Sequence, residues 1–124
     1  MDTSPAPVLV VDDNEALRDN LAEALELEGY AVAVAANGEA ALDRLAREPL
    51  PRAVLLDFML PGISGADLLE RIRKDPRLAG VRVVMTTGSV GIRSFTASAD
   101  AVLTKPFGVR ELLSALKKAG VAGP

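Results

Sequence analysis

A chain of 124 residues and 13.0 kDa, 49% hydrophobic and 25% charged, has the make-up of one folded domain and not of a disordered tail. With no cysteine and no histidine it builds no disulfide, thiol nucleophile, histidine base or sulfur–nitrogen metal site, so any metal must be a hard cation held by oxygen. A net charge of −3 and a pI near 4.9 lack the basic footprint of a nucleic-acid binder.

Val8-Leu9-Val10-Val11 is a short β-branched run that stops at Asp12-Asp13. Leu17, Leu21, Ala24 and Leu25 then recur at helical spacing, and Gly29 supplies a stop. Tyr30 to Ala35 is a second apolar run. Asn37 is an expected N-cap for a helix with the stripe Ala41, Leu42, Leu45 and Ala46, and Pro49 and Pro51 break the chain beyond it. Ala53-Val54-Leu55-Leu56 is a third run, ending at Asp57. After the turn Leu60-Pro61-Gly62-Ile63, Ser64 and Asp67 form a Ser-x-x-Asp helix start, with Leu68, Leu69 and Ile72 as the apolar stripe. Val81 to Thr87 is the fourth run. Residues 89–99 are weakly helical: Ile92, Phe95 and Ala99 sit among Gly91 and several Ser and Thr. Ala101 to Thr104 is the fifth run and leads into Lys105-Pro106-Phe107. Val109, Leu112, Leu113 and Leu116 form a last amphipathic helix that stops near Gly120.

Five short apolar strands alternating with helices predict an α/β domain with an open parallel sheet covered on both faces. No apolar run is long enough to span a membrane, and the first residues carry no basic leader, so a cytoplasmic location is the expectation. Residues 1–6 read as a flexible arm, 7–120 as the domain and 121–124 as a tail.

Ligands of such sheets sit beyond the carboxyl ends of the strands. Those ends carry Asp12-Asp13, Asp57, Thr87 with Gly88, and Lys105. Three neighbouring carboxylates repel one another, and a hard divalent ion such as Mg²⁺ relieves that repulsion. Lys105 is a point charge suited to a phosphate oxygen, Thr87 a hydroxyl donor, and Gly88 leaves room beside the backbone. Together these are the parts of a phosphoryl-transfer site, with Asp57 the best nucleophile.

Four segments carry a resemblance: Val10-Val11-Asp12-Asp13-Asn14, Leu55 through Gly62, Val84-Met85-Thr86-Thr87-Gly88, and Leu103-Thr104-Lys105-Pro106-Phe107. In this order the chain resembles the receiver domain of two-component response regulators, and is similar to single-domain chemotaxis-type receivers, over residues 7 to 119. The resemblance implies a flavodoxin-like sheet in the order 2-1-3-4-5. It implies that Asp57 accepts a phosphoryl group from a phosphohistidine of a sensor histidine kinase or histidine phosphotransfer protein. It implies Asp13 as a direct Mg²⁺ ligand, Asp12 as one acting through water, and Asp57 and the Met59 backbone carbonyl as further ligands, with Mn²⁺ able to substitute. Thr87 and Lys105 would contact the phosphoryl group, Gly88 would follow the switch hydroxyl, and the Lys105–Pro106 peptide would be cis. The output would be a change in binding to an unknown downstream protein, by a monomer or a weak phosphorylation-dependent dimer, with no nucleic acid or membrane bound by this domain.

Two departures stand out. Lys105 follows Thr87 by 18 positions, about one helical turn fewer than in the family, so the fourth helix should be short, shifted or irregular. Val102 stands where the family has an aromatic ring three residues before the lysine. The implied chemistry is intact while the usual output route is altered. Two other functions compete with the receiver. One is a pseudo-receiver that only binds a partner, against which the complete acidic–Thr–Lys set argues. The other is a Mg²⁺-dependent aspartyl-nucleophile phosphatase, against which Met59 argues by standing where a second acid would be needed. Phe58 is expected to pack, Ser89 to cap a helix or tune hydrolysis, and Arg71, Arg73, Lys74, Arg77 and Arg82 to form a solvated basic face.

Overall fold

The structure, a computed structural model, describes residues 6–88, 99–121 and 123. The described elements, in chain order, are β1 (Val8–Val11), α1 (Glu15–Leu27), β2 (Val32–Ala35), α2 (Gly38–Leu45), β3 (Ala53–Asp57), α3 (Gly65–Lys74), β4 (Arg82–Thr87), β5 (Ala101–Thr104) and α4 (Val109–Lys118). A 3₁₀ turn, Pro76–Leu78, follows α3. The fourth helix expected over residues 89–99 falls, apart from Ala99, outside the described residues.

All strand pairs are parallel, in the order β2-β1-β3-β4-β5, so the predicted topology is observed. Burial follows position in the sheet. Every residue of β1 and β3 is buried, whereas the edge strands β2 and β5 are mixed. A central parallel strand is covered above, below and on both sides, which is why its sequence is continuously apolar. Alternate strand residues feed two cores. Leu9, Val11, Val54, Leu56, Val83 and Met85 pack with α2 and α3, while Val8, Val10, Leu55 and Val84 pack with α1 and α4. Each fully buried Leu or Val contributes about 1.5–3 kcal/mol.

The helix starts follow from their caps. The side chains of Asn14, Asn37 and Ser64 accept hydrogen bonds from the backbone N–H groups of Leu17, Ala40 and Asp67. Ends differ from the periodicity in three places. Tyr30 lies before β2 because its N–H is donated to Leu25 at the close of α1, where Gly29 has φ +98. Val81 lies before β4 because its N–H is donated to Leu78. Ala46 is exposed because α2 ends at Leu45. Val109, in the first turn of α4, is also exposed. The Lys105–Pro106 peptide is cis, as is Glu48–Pro49.

Gly65 fixes the loop that follows the third strand. Its N–H is donated to the Phe58 carbonyl at 3.1 Å. A Cβ there would collide with the Asp57 carbonyl oxygen and lie 2.7 Å from Phe58 Cα, both of them backbone atoms that cannot rotate away. Gly65→Ala is expected to cost about 1–3 kcal/mol in denaturant unfolding and to displace the Asp57 loop. An unchanged midpoint would show that the loop yields freely.

Candidate functional site

The carboxyl ends of β1, β3, β4 and β5 form one rim, because parallel strands all point the same way. Asp57 closes β3, Asp12 follows β1 directly, Thr87 closes β4 and Lys105 follows β5. Asp12 is 2% exposed and Asp57 5%, unusual values for carboxylates. Lys105 Nζ lies 3.1 Å from Asp12 Oδ2 and 3.3 Å from Asp57 Oδ2. Each remaining carboxylate oxygen takes a backbone hydrogen bond: Asp12 Oδ1 from Asn14 N–H at 2.9 Å, and Asp57 Oδ1 from Met59 N–H at 3.2 Å. No buried side-chain nitrogen or oxygen among the described residues lacks a partner.

Asp13 completes the cluster. One carboxylate oxygen from each of Asp12, Asp13 and Asp57 lies within 4.8 Å of the others. Asp13 itself is exposed. A contact of about 3.2 Å between opposite charges is worth about 5 kcal/mol at an effective dielectric of ~20. That is comparable to the several kcal/mol needed to desolvate each buried ion. The Asp12–Lys105–Asp57 contacts therefore roughly cancel their own burial cost. Three carboxylates and one ammonium then leave a formal charge of −3 + 1 = −2 at the rim. All-oxygen donors with that excess fit a hard divalent cation.

The ionisation equilibria carry the same strain. Burial pushes the Asp57 carboxyl above its ordinary value of 3.8, and the charge of Asp12 adds to this; the Met59 N–H and Lys105 only partly offset it. For Lys105, burial opposes the ammonium, but the Asp12 hydrogen bond and the charges of Asp57 and Asp12 prevail and raise its pKa.

The other sequence candidates divide. Thr87 is buried, and its carbonyl accepts the Lys105 N–H at 2.7 Å, so these two residues share one piece of backbone ladder. Gly88 is exposed, and among the described residues nothing lies within 4 Å of where a Cβ would stand. Met59 joins the site through its main chain, while its side chain is 70% exposed. Phe58 packs against the core, as expected. Val102 is 42% exposed on edge strand β5. Ser89 lies outside the described residues. The basic stretch is largely neutralised locally: Arg73 and Arg82 pair with Asp100, Lys74 with Glu70, and Arg77 with Asp75. Two neighbours were not anticipated, Asn14 and Arg18, which hold Asp12 from its side chain and its main chain. The i+2 spacing of Asn14 was a usable signal; the reach of Arg18 was not.

The sequence pattern that defines the response regulator receiver domain matches residues 8–117. The phosphate regulon transcriptional regulatory protein PhoB of Rhizobium meliloti is 38% identical over 114 residues, covering 89% of this chain and 50% of that protein. The chain spans about half the length of the curated relatives it matches first. A CheY-like receiver domain protein from Methanospirillum hungatei superposes with a TM-score of 0.82 at 34% identity, covering 93% of each chain. The response regulator TrrA of Thermotoga maritima, solved in complex with Mg²⁺-BeF, superposes with a TM-score of 0.83 at 34% identity, covering 93% of this chain and 99% of that one.

The raised pKa of Asp57 has a consequence for stability. A carboxyl whose folded pKa exceeds its unfolded value binds more protons when folded. Its stabilising contribution is therefore full below 3.8 and is lost as pH rises through the raised folded value. In metal-free buffer near neutral pH, Asp57→Asn is expected to melt higher than the parent, with the gap closing as the pH is lowered below the ordinary carboxylate range. A variant that melts lower than the parent at neutral pH would show that the Lys105 contact outweighs the burial of the charge.

Proposed function

The chain belongs to the response regulator receiver domain family, and on that premise we propose that Asp57 accepts a phosphoryl group from a phosphohistidine of a sensor histidine kinase or histidine phosphotransfer protein. The observation that carries the proposal is the position of Asp57, buried at the end of the central strand, in contact with Lys105 and within one acidic cluster with Asp12 and Asp13. A carboxylate oxygen of Asp57 attacks phosphorus; the O–P bond forms as the N–P bond breaks, and the electron pair returns to the imidazole nitrogen. Lys105 would pair with a phosphoryl oxygen after transfer, a role supported by its 3.3 Å contact with Asp57 Oδ2. Thr87 supplies the hydroxyl that moves toward the phosphoryl group, and Gly88 the open space beside it. The shared ladder of Thr87 and Lys105 supports their acting together.

Asp12, Asp13, Asp57 and the Met59 backbone carbonyl would hold Mg²⁺, with Mn²⁺ as a substitute. Bound there, the ion would neutralise the carboxylates and the incoming phosphoryl oxygens. The excess charge of the rim and the Mg²⁺-BeF complex of a 34% identical receiver support this assignment. The domain spans 7–120, flanked by the arm 1–6 and the tail 121–124. It is a switch and not an enzyme acting on an outside substrate, and its chemistry is self-catalysed transfer and hydrolysis. Phosphorylation shifts an equilibrium between two arrangements of the rim and so alters binding to a downstream protein. An apolar cleft of about 400 Å³ lined by Leu17, Lys105, Pro106 and Phe107 lies beside the lysine, where a phosphodonor protein would approach. No helix among the described residues is long and apolar enough to cross a membrane. The working picture is a cytoplasmic monomer or weak phosphorylation-dependent dimer that binds no nucleic acid or membrane through this domain.

Intact mass after incubation with a small-molecule phosphodonor is expected to show one phosphoryl adduct that requires Mg²⁺. Asp57→Asn should abolish it, and Asp13→Asn should reduce it by weakening metal binding about 10-fold or more. Equal labelling of parent and Asp57→Asn would contradict the phosphoacceptor assignment.

A further inference from the structure

Two of the three rim carboxylates, Asp12 and Asp13, sit on the short loop between β1 and α1. Local bonds hold this loop in shape: Asp12 Oδ1 accepts from Asn14 N–H, and Asn14 Oδ1 accepts from Leu17 N–H at 3.0 Å. Both span three residues or fewer. They fix the turn, and neither of them engages the carbonyl of the Asp12–Asp13 peptide. One long side chain reaches that peptide. Arg18, on the second turn of α1 and half-buried, donates from Nη1 to the Asp12 carbonyl at 3.0 Å.

A peptide unit is planar, so holding its oxygen holds the whole plane. The Asp12 carbonyl belongs to the unit that ends in the Asp13 N–H. Fixing it restricts ψ of Asp12 and φ of Asp13, and these two angles aim the two carboxylates. We infer that Arg18 is a positioning residue for the metal site: by clamping the Asp12–Asp13 peptide it sets the separation of the acidic oxygens before a divalent cation arrives. This rests on the reading of the rim as a Mg²⁺ site.

The sign of the effect separates the inference from simple electrostatics. Arg18 carries a permanent positive charge beside a cation site. If charge were its whole effect, removing it would strengthen cation binding. If it positions the loop, removing it weakens binding despite the lost repulsion. Mn²⁺ affinity, read from the signal of the free ion in electron paramagnetic resonance, tests this on the parent, Arg18→Met, Arg18→Lys and Asp13→Asn. Arg18→Met is expected to bind Mn²⁺ about 10-fold more weakly. Arg18→Lys, which keeps a donor and the charge, should recover most of that loss. Unchanged or tighter binding by Arg18→Met would overturn the inference, as would an Arg18→Lys protein that binds no better than Arg18→Met. A parent that binds no Mn²⁺, or binds it no better than Asp13→Asn, would overturn the site reading and the inference together.

Discussion

The rim depends on one ammonium group held between two buried carboxylates. Lys105 lies 3.1 Å from Asp12 and 3.3 Å from Asp57, and among the described residues no other cationic side chain pairs with either buried acid. Parallel topology creates this problem. Every strand delivers its last residue to the same edge, so a strand ending in aspartate brings its charge to the others. The sheet is stable enough to impose this because β1 and β3 are buried along their whole length.

The rim in turn stays short of neutrality. Lys105 balances one of three acids, while burial, with a smaller contribution from the charge of Asp12, raises the pKa of Asp57. A site in this condition responds to charge. On the proposed function, a divalent cation would relieve the repulsion, and a phosphoryl group on Asp57 would bring new negative oxygens within reach of the lysine that Asp57 now occupies. The Thr87 carbonyl, bonded to the Lys105 N–H, connects those changes to the ends of β4 and β5. Val102, part-exposed on β5, stands where the family has an aromatic ring.

Much of this was legible in the sequence. The five apolar runs, the caps Asn37 and Ser64, and the acids at strand ends are local signals, each written within a few residues, and the structure reproduces them. The strand order came from likeness to a family and not from spacing, because periodicity does not say which strand lies beside which. What stayed hidden was long-range or depended on rotamer. Asp100 joins the start of β5 to Arg73 at the end of α3 at 2.6 Å and accepts Val83 N–H at 2.8 Å, a clamp across 27 and 17 positions that no short motif announces. The basic stretch read as a solvated face; Asp75 and Glu70 are local partners of Arg77 and Lys74, whereas Asp100, which pairs with Arg73 and Arg82, is brought close by the fold. Arg18 is invisible as a site residue until its side chain is seen to turn back on Asp12.

The most direct test of the account is a pH titration of the Asp57 side-chain carboxyl by carbon-13 NMR, with and without Mg²⁺. The account predicts that metal-free Asp57 titrates above the ordinary carboxylate value of 3.8 and that saturating Mg²⁺ lowers its midpoint. An Asp57 that titrates at the ordinary value, with a midpoint indifferent to Mg²⁺, would contradict the claim that the rim is an under-neutralised acidic site built to receive a cation.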